Sequence, residues 1–335
     1  MLRSFILLFL PLMCLQNARA QDTTLSSVMT GAADAFLHTL SAGERKEALL
    51  NFNDPVRLQW SNEPENMHPR KGLRLDEMTV AQKEALHRLL QTALSEQGYL
   101  KVLNVIRLDE WLKHHYYKPP EAQYYGEGLY WITLFGKPDR NGRWGWRFEG
   151  HHLSLNITVS PGVVNATPFF LGTHPGVIPA GPLAGAENLF AETQLGWKLL
   201  ASLTPAERRR AILSNQEPKG ADIVIRTGKE PEVKAVTGIP VRSLDHAQQQ
   251  IIKQLIGCYV NNLTPVLARH YQNIIRQKAW ADLHFTWMGP VQPGQPAYYR
   301  IASKEGLIIE YCSRLHDVHH IHTLWRWRPG DFGGR

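Results

Sequence analysis

The chain has 335 residues, 43% of them hydrophobic and 20% charged, enough apolar material for about two domains on a prior of roughly 100–200 residues each. That composition excludes a disordered chain, and the absence of heptads or short tandem repeats argues against a coiled coil or solenoid. A formal charge of +7 permits an anionic partner without requiring one, and three cysteines are too few for a disulfide scaffold or a Cys-rich zinc module.

The N-terminus reads as an export signal. Arg3 precedes the apolar run Phe5 to Met13, too short to span a bilayer comfortably, and Ala18-Arg19-Ala20 gives the small-x-small pattern of signal peptidase sites. Residues 1–20 are therefore expected to be removed, with a mature protein starting at Gln21 and working in the periplasm or outside the cell. Cys14 raises a lipid-anchored alternative, but Met13 before it is larger than that processing prefers. No later stretch is long enough for a transmembrane helix.

Four capping boxes follow: Ser41 with Glu44, Thr79 with Gln82, Thr204 with Glu207, and Asp245 with Gln248, each preceded by an apolar residue. Ala85, Leu86, Leu89, Leu90 and Leu94, and later Ile251, Ile252, Leu255, Ile256 and Val260, recur at helical spacing. The boxes predict a short helix over 41–52 and a longer one from 79, then a short helix over 204–214 and a longer one from 245. Each long helix leads to a strand-like pair: Leu129–Phe135 with Trp144–Val159, and Leu283–Met288 with Ala297–Tyr311, the members separated by Gly, Pro and Asn turn residues. The expected fold is α+β in two similar halves, residues 21–190 and 191–335, as two domains or one continuous pseudo-symmetric domain. Cys258 and Cys312 are either a disulfide or two buried thiols.

The strings Trp144-Gly145-Trp146-Arg147-Phe148-Glu149-Gly150-His151-His152-Leu153, His319-His320-Ile321-His322-Thr323-Leu324-Trp325-Arg326 and Asp331-Phe332-Gly333, with Tyr298-Tyr299-Arg300-Ile301 and His68-Pro69-Arg70-Lys71-Gly72, give the chain its specific character. On these strings it resembles the bacterial domain of unknown function 3500 family over most of its mature length. The resemblance implies secreted or periplasmic proteins and carries over no catalytic residues.

The histidines carry the chemical reading. Alternate residues of a strand share a face, so His320 and His322 project together, with Arg326 beyond them. His152, Ser154 and Asn156 alternate with Leu153, Leu155 and Ile157, which need a core, so His152 faces a polar surface. If the two regions pack together, His152 approaches His320 and His322, and three neutral imidazoles leave an open position on a divalent metal such as zinc. His151 is the alternate ligand if the register differs by one residue. Glu149, brought round by a bulge at Gly150, is the candidate general base, and Arg147 the substrate orienter. Arg70, Arg300 and Arg326 are candidate binders of an anionic small molecule or glycan, against the alternative that arginines pair with Glu149, Glu310, Asp317 or Asp331 to fasten the fold. His114-His115, among tyrosines and prolines, reads as loop.

These residues point to metal-assisted hydrolysis or oxidation of a small or carbohydrate-like substrate. The competing reading is a non-enzymatic binding or structural module with structural histidines. Nucleic acid is an unfavoured partner, because the positive charge is spread along the chain and no binding motif occurs. If the export reading is right, the mature protein recovered from outside the cytoplasm begins at Gln21 by intact mass; a protein that retains Met1 there contradicts it.

Overall fold

The four capping boxes all form, and they set the helical frame. In the computed structural model each N-cap side chain accepts the backbone N–H of its box partner, and that partner's side chain accepts the N-cap N–H in return. The structure describes residues 25–334 apart from 179, 181–183, 186, 217–222, 224–235 and 315–316, and leaves the side chains of 314, 317 and 318 undescribed. The expected signal segment and Cys14 lie outside the described residues. Among these residues no helix is long and apolar enough to cross a membrane.

The helices are α1 (25–38), α2 (Ala42–Ala48), α3 (Val80–Ala93), α4 (Glu96–His115), α5 (Phe190–Ser202), α6 (Pro205–Ala211), α7 (His246–Val260) and α8 (Pro265–Ile274). The strands of the first part are β1 (Leu49–Leu50), β2 (Leu73–Arg74), β3 (Tyr130–Phe135), β4 (Trp144–Gly150), β5 (Leu153–Ser160), β6 (Val163–Asn165) and β7 (Phe169–Thr173). Those of the second are β8 (Ile212–Ser214), β9 (Ile239–Pro240), β10 (His284–Met288), β11 (Tyr298–Ala302), β12 (Leu307–Arg314) and β13 (Asp317–Trp327). The fold is α+β.

All the strands join one mixed sheet in the order β1-β3-β4-β5-β7-β13-β12-β11-β10-β8, with β2, β6 and β9 paired to β3, β5 and β10. The junction between the two parts of the chain is antiparallel pairing of β7 with β13, in which His322 lies opposite Gly172 and Ile321 opposite Thr173. One sheet thus runs continuously from β1 in the first part of the chain to β8 in the second.

Strand alternation divides that sheet into two unlike faces. Ile132, Trp146, Phe148, Leu155, Leu171, Trp325, Ile309 and Ile301 project to one side and join Leu86, Leu89, Leu199, Ile252 and Leu255 of the helices in one buried cluster. The other side carries a smaller cluster of Trp60, Phe170, Ile308, Cys312, Leu324 and Phe332. It also carries buried polar residues: Arg147, Glu149, Ser154, Asn156, Glu310, His322 and Arg326. Buried polar groups need partners, so this second face is where chemistry or an internal polar network has to lie.

Several boundaries differ from the sequence expectation. The short helices stop at Ala48 and Ala211, and the chain then enters the edge strands β1 and β8. The long helix from 79 ends at Ala93, because Leu94 bridges to Leu263 and Ser95 caps a second helix, α4. Trp144–Val159 spans two strands with a two-residue turn at His151-His152, and Ala297–Tyr311 reaches from the turn before β11 into β12. The β4–β5 register is regular, so Glu149 reaches the second face by alternation, without a bulge at Gly150. His114 and His115 are not loop residues; they close the last turn of α4, where imidazoles sit well against the exposed carbonyls. Cys258, half-buried, and Cys312, buried, are not joined to each other by a disulfide.

The α3–α4 break docks on the α7–α8 break: Ser95 donates from N to Asn262 O at 3.0 Å, and Thr264 N to Ala93 O at 2.9 Å. Gly98 allows this approach, since a Cβ there would lie 1.9 Å from Asn262 O. Gly98→Ala is therefore expected to destabilise the protein by about 1–3 kcal/mol or more and to lower its Tm. Gly43→Ala, where an added Cβ meets nothing within 4 Å, is expected to leave Tm unchanged or slightly raised. Equal midpoints for the two variants would contradict this account of the junction.

Candidate metal centre

His152 occupies the second position of the tight turn between β4 and β5, at φ 61°, a left-handed conformation that costs a non-glycine residue about 1–2 kcal/mol. Three features hold it there. Its N–H donates to Asn62 O at 3.1 Å, and its carbonyl accepts from Gly172 N at 2.7 Å. Gly172 also leaves room for the ring: a Cβ at that position would sit 2.9 Å from the imidazole Cδ2. His320 and His322 come from β13, on the same face, with His322 directly across from Gly172. The β7–β13 pairing thus brings together rings separated by 168 and 170 residues.

The three Nε2 atoms form a nearly equilateral triangle. His152 to His320 is 2.9 Å, His320 to His322 is 3.0 Å, and His322 to His152 is 3.1 Å. The ring centroids lie farther apart, at 4.8, 4.8 and 5.0 Å, so each ring aims its Nε2 inward. A hydrogen bond pairs one N–H with one lone pair, and an imidazole nitrogen offers only one of these. Three such nitrogens aimed at one point cannot all satisfy one another. A single cation between them satisfies all three. Two nitrogens bound to zinc at about 2.0–2.1 Å and near-tetrahedral angles stand about 3.3–3.4 Å apart, a few tenths wider than this triangle and within reach of small ring rotations. These three histidines form a group able to hold a metal ion.

Burial sets the protonation of His152. His152 is 3% exposed, and burial first, then His151, His320, His322 and His174, hold its pKa well below the usual imidazole value. A neutral ring keeps the lone pair that a metal needs. His320 is half-buried and is the member nearest solvent.

Around the triad lie His151, the expected alternate ligand, which stands outside the group of three, and two residues that the sequence reading did not single out, His174 and Asp109. His174, just past β7, stacks on His320 with centroids 4.4 Å apart and planes within 7°. His151 stacks on His152 at 3.8 Å, and its Nδ1 lies 2.6 Å from Asp109 Oδ1. Asp109 is 2% exposed and also accepts the Gly126 N–H at 3.1 Å. Its signal was available: an aspartate within the apolar ladder Val105, Ile106, Leu108 and Leu112 of α4 has to find a buried partner. His174 had no such signal, because only the strand register places it beside His320.

The remaining expected site residues lie in three polar groups outside the triad. Glu149 is held between Arg147, whose Nε is 2.7 Å from Oε1, and Arg70, whose Nε is 3.8 Å from Oε2. Arg147 also donates to the carbonyls of Val56 and Gln59, and Arg70 to those of Glu63, Gly150, Ser61 and His68. Arg326 pairs with Asp331 at 2.7 Å, both buried, and Arg300 donates to Thr237 Oγ1 at 3.0 Å.

A family model described as "Protein of unknown function (DUF3500)" matches residues 22–334. No curated protein and no solved structure matches the chain.

The protonation of His152 makes a stability prediction for the metal-free protein. Its folded pKa lies below the unfolded value of about 6.5, so its contribution is complete above that pH and is lost as pH falls, at up to about 1.4 kcal/mol per pH unit. Tm of the metal-free protein is expected to drop between about pH 6.5 and pH 5. The drop should be shallower in His152→Asn, which keeps a residue tolerant of positive φ. His68 and His87, whose pKa values are also lowered by burial, contribute equally to both proteins. Parallel Tm–pH curves would contradict the assignment.

Proposed function

Because the chain belongs to the DUF3500 family, whose description assigns no activity, function has to be argued from the site, and we propose that His152, His320 and His322 hold one divalent metal ion for hydrolysis of a small substrate. The observation that carries this reading is the inward convergence of the three Nε2 atoms at 2.9–3.1 Å. Three neutral imidazoles add no negative charge, so the ion keeps its full charge to polarise a substrate and to lower the pKa of bound water toward about 7. Among the described residues the cluster has three members and no fourth, as in catalytic zinc sites, where a position stays open. Imidazole also suits copper, iron and nickel; zinc is the ion we favour for hydrolysis. An oxidative role would use the same three ligands with a redox-active ion.

In this reading Glu149, Arg147 and Arg70 are positioning residues. Arg70 donates 3.1 Å to Gly150 O, at the base of the turn that carries His152, and Glu149 joins the two guanidiniums. This use of Glu149 follows from its contacts, since each of its carboxylate oxygens faces a guanidinium. Arg326 and Arg300 serve as fasteners of the second face. The whole assembly works after export, as the N-terminal sequence indicates.

Purified protein dialysed against zinc is expected to hold one ion per chain and to hydrolyse an activated ester such as p-nitrophenyl acetate, with activity lost to a chelator and regained with zinc. His320→Ala and His322→Ala are each expected to lose the ion while remaining folded by circular dichroism. Folded wild-type protein that takes up no zinc, or variants that keep it, would favour the non-enzymatic module instead.

A further inference from the structure

We propose that the metal centre takes an uncharged phenolic ring as its ligand, its oxygen on the metal and its face against a closed circuit of aromatic side chains; this deepens the metal reading and rests on it.

The circuit starts at the surface. Tyr116, at the end of α4, is 55% exposed, and Tyr117 and Tyr125 are half-buried. Tyr116 meets Tyr117 edge-on at 5.0 Å, and Tyr117 stacks on Tyr125 at 3.8 Å with planes within 10°. Tyr125 meets His151 at 5.0 Å, which leads through the 3.8 Å stack to His152 and then to His320 at 4.8 Å. The return path runs from His320 to His174 at 4.4 Å and from His174 back to Tyr116 at 4.8 Å. Three members of this loop are tyrosines, with Tyr116 the exposed one, and four are imidazoles, two of them members of the triad.

The chemistry of the loop selects the ligand. Aromatic rings recognise other rings by offset stacking and edge-to-face contact, worth about 0.5–1.5 kcal/mol per pair beyond area burial. Asp109, a carboxylate that touches the loop, is already engaged by His151 Nδ1 and the Gly126 N–H. Glu110, beside it on α4, is occupied by His114 and by the Glu127 N–H. With these carboxylates engaged by the protein, what the circuit chiefly presents to a ligand is ring surface. A flat ring with one metal-binding oxygen uses what the site offers.

The test uses phenol as probe, titrated by calorimetry into zinc-loaded full-length protein, with methyl glucoside as the non-aromatic comparison. Phenol is expected to bind one per chain and more tightly than methyl glucoside. Tyr116→Ala, at an exposed position, should weaken phenol binding about 2- to 12-fold, the worth of one aromatic pair, with zinc content unchanged. Tyr116→Phe should bind phenol as the wild type does. Zinc-loaded protein that ignores phenol, prefers methyl glucoside, or responds identically as Tyr116→Ala overturns this inference and leaves the metal reading standing. Protein that binds no zinc overturns the metal reading itself.

Discussion

The antiparallel pairing of β7 with β13 is the constraint on which the rest of this structure depends. It joins the two parts of the chain into one sheet, and its register sets His322 opposite Gly172. Gly172 in turn leaves space for the His152 ring and donates to the His152 carbonyl. A slip of one residue would turn His320 and His322 toward the helices and put Ile321 and Trp325 on the polar face. The hydrophobic demand of the helix-side core therefore fixes the same register that aligns the imidazoles. Packing and site are enforced by one alternation.

That arrangement is expensive without a ligand. Burying imidazoles with their nitrogens facing one another forgoes hydrogen bonds to water, and His152 adds a left-handed backbone conformation. Strain of this kind persists where surrounding structure over-determines it. Here the determinants are the Asn62 and Gly172 hydrogen bonds and, beneath the turn, the Arg70–Glu149–Arg147 cluster. The polar face thus divides into a scaffold of paired charges and a pocket of rings in which burial keeps His152 uncharged. An uncharged ring keeps its lone pair available to a cation.

Much of this was legible in the chain itself. The four capping boxes form because each is a local hydrogen-bond exchange that needs only its own few residues. The faces of His320 and His322 followed from alternation against Ile321 and Trp325, whose apolar side chains must be buried, whereas His152, expected on a strand, lies in the turn before β5. What lay beyond reach depended on non-local pairing or on exact turn geometry. Nothing local in the sequence near His174 says that it will lie across from His320. Glu149 looked like a base beside the histidines, but Arg70, 79 positions earlier, reaches it through a loop whose path no short pattern encodes. His114 and His115 sit just before Tyr116, Tyr117, Pro119 and Pro120, and the helix runs through both histidines before it is capped at Tyr116.

X-ray absorption at the zinc edge of the zinc-loaded protein probes the shared coordination of the three rings directly. The account predicts a first shell of nitrogen and oxygen at about 2.0–2.1 Å with the outer-shell scattering of three imidazoles, reduced to two in His152→Asn. A spectrum with one imidazole or none, or one that His152→Asn leaves unaltered, would contradict it.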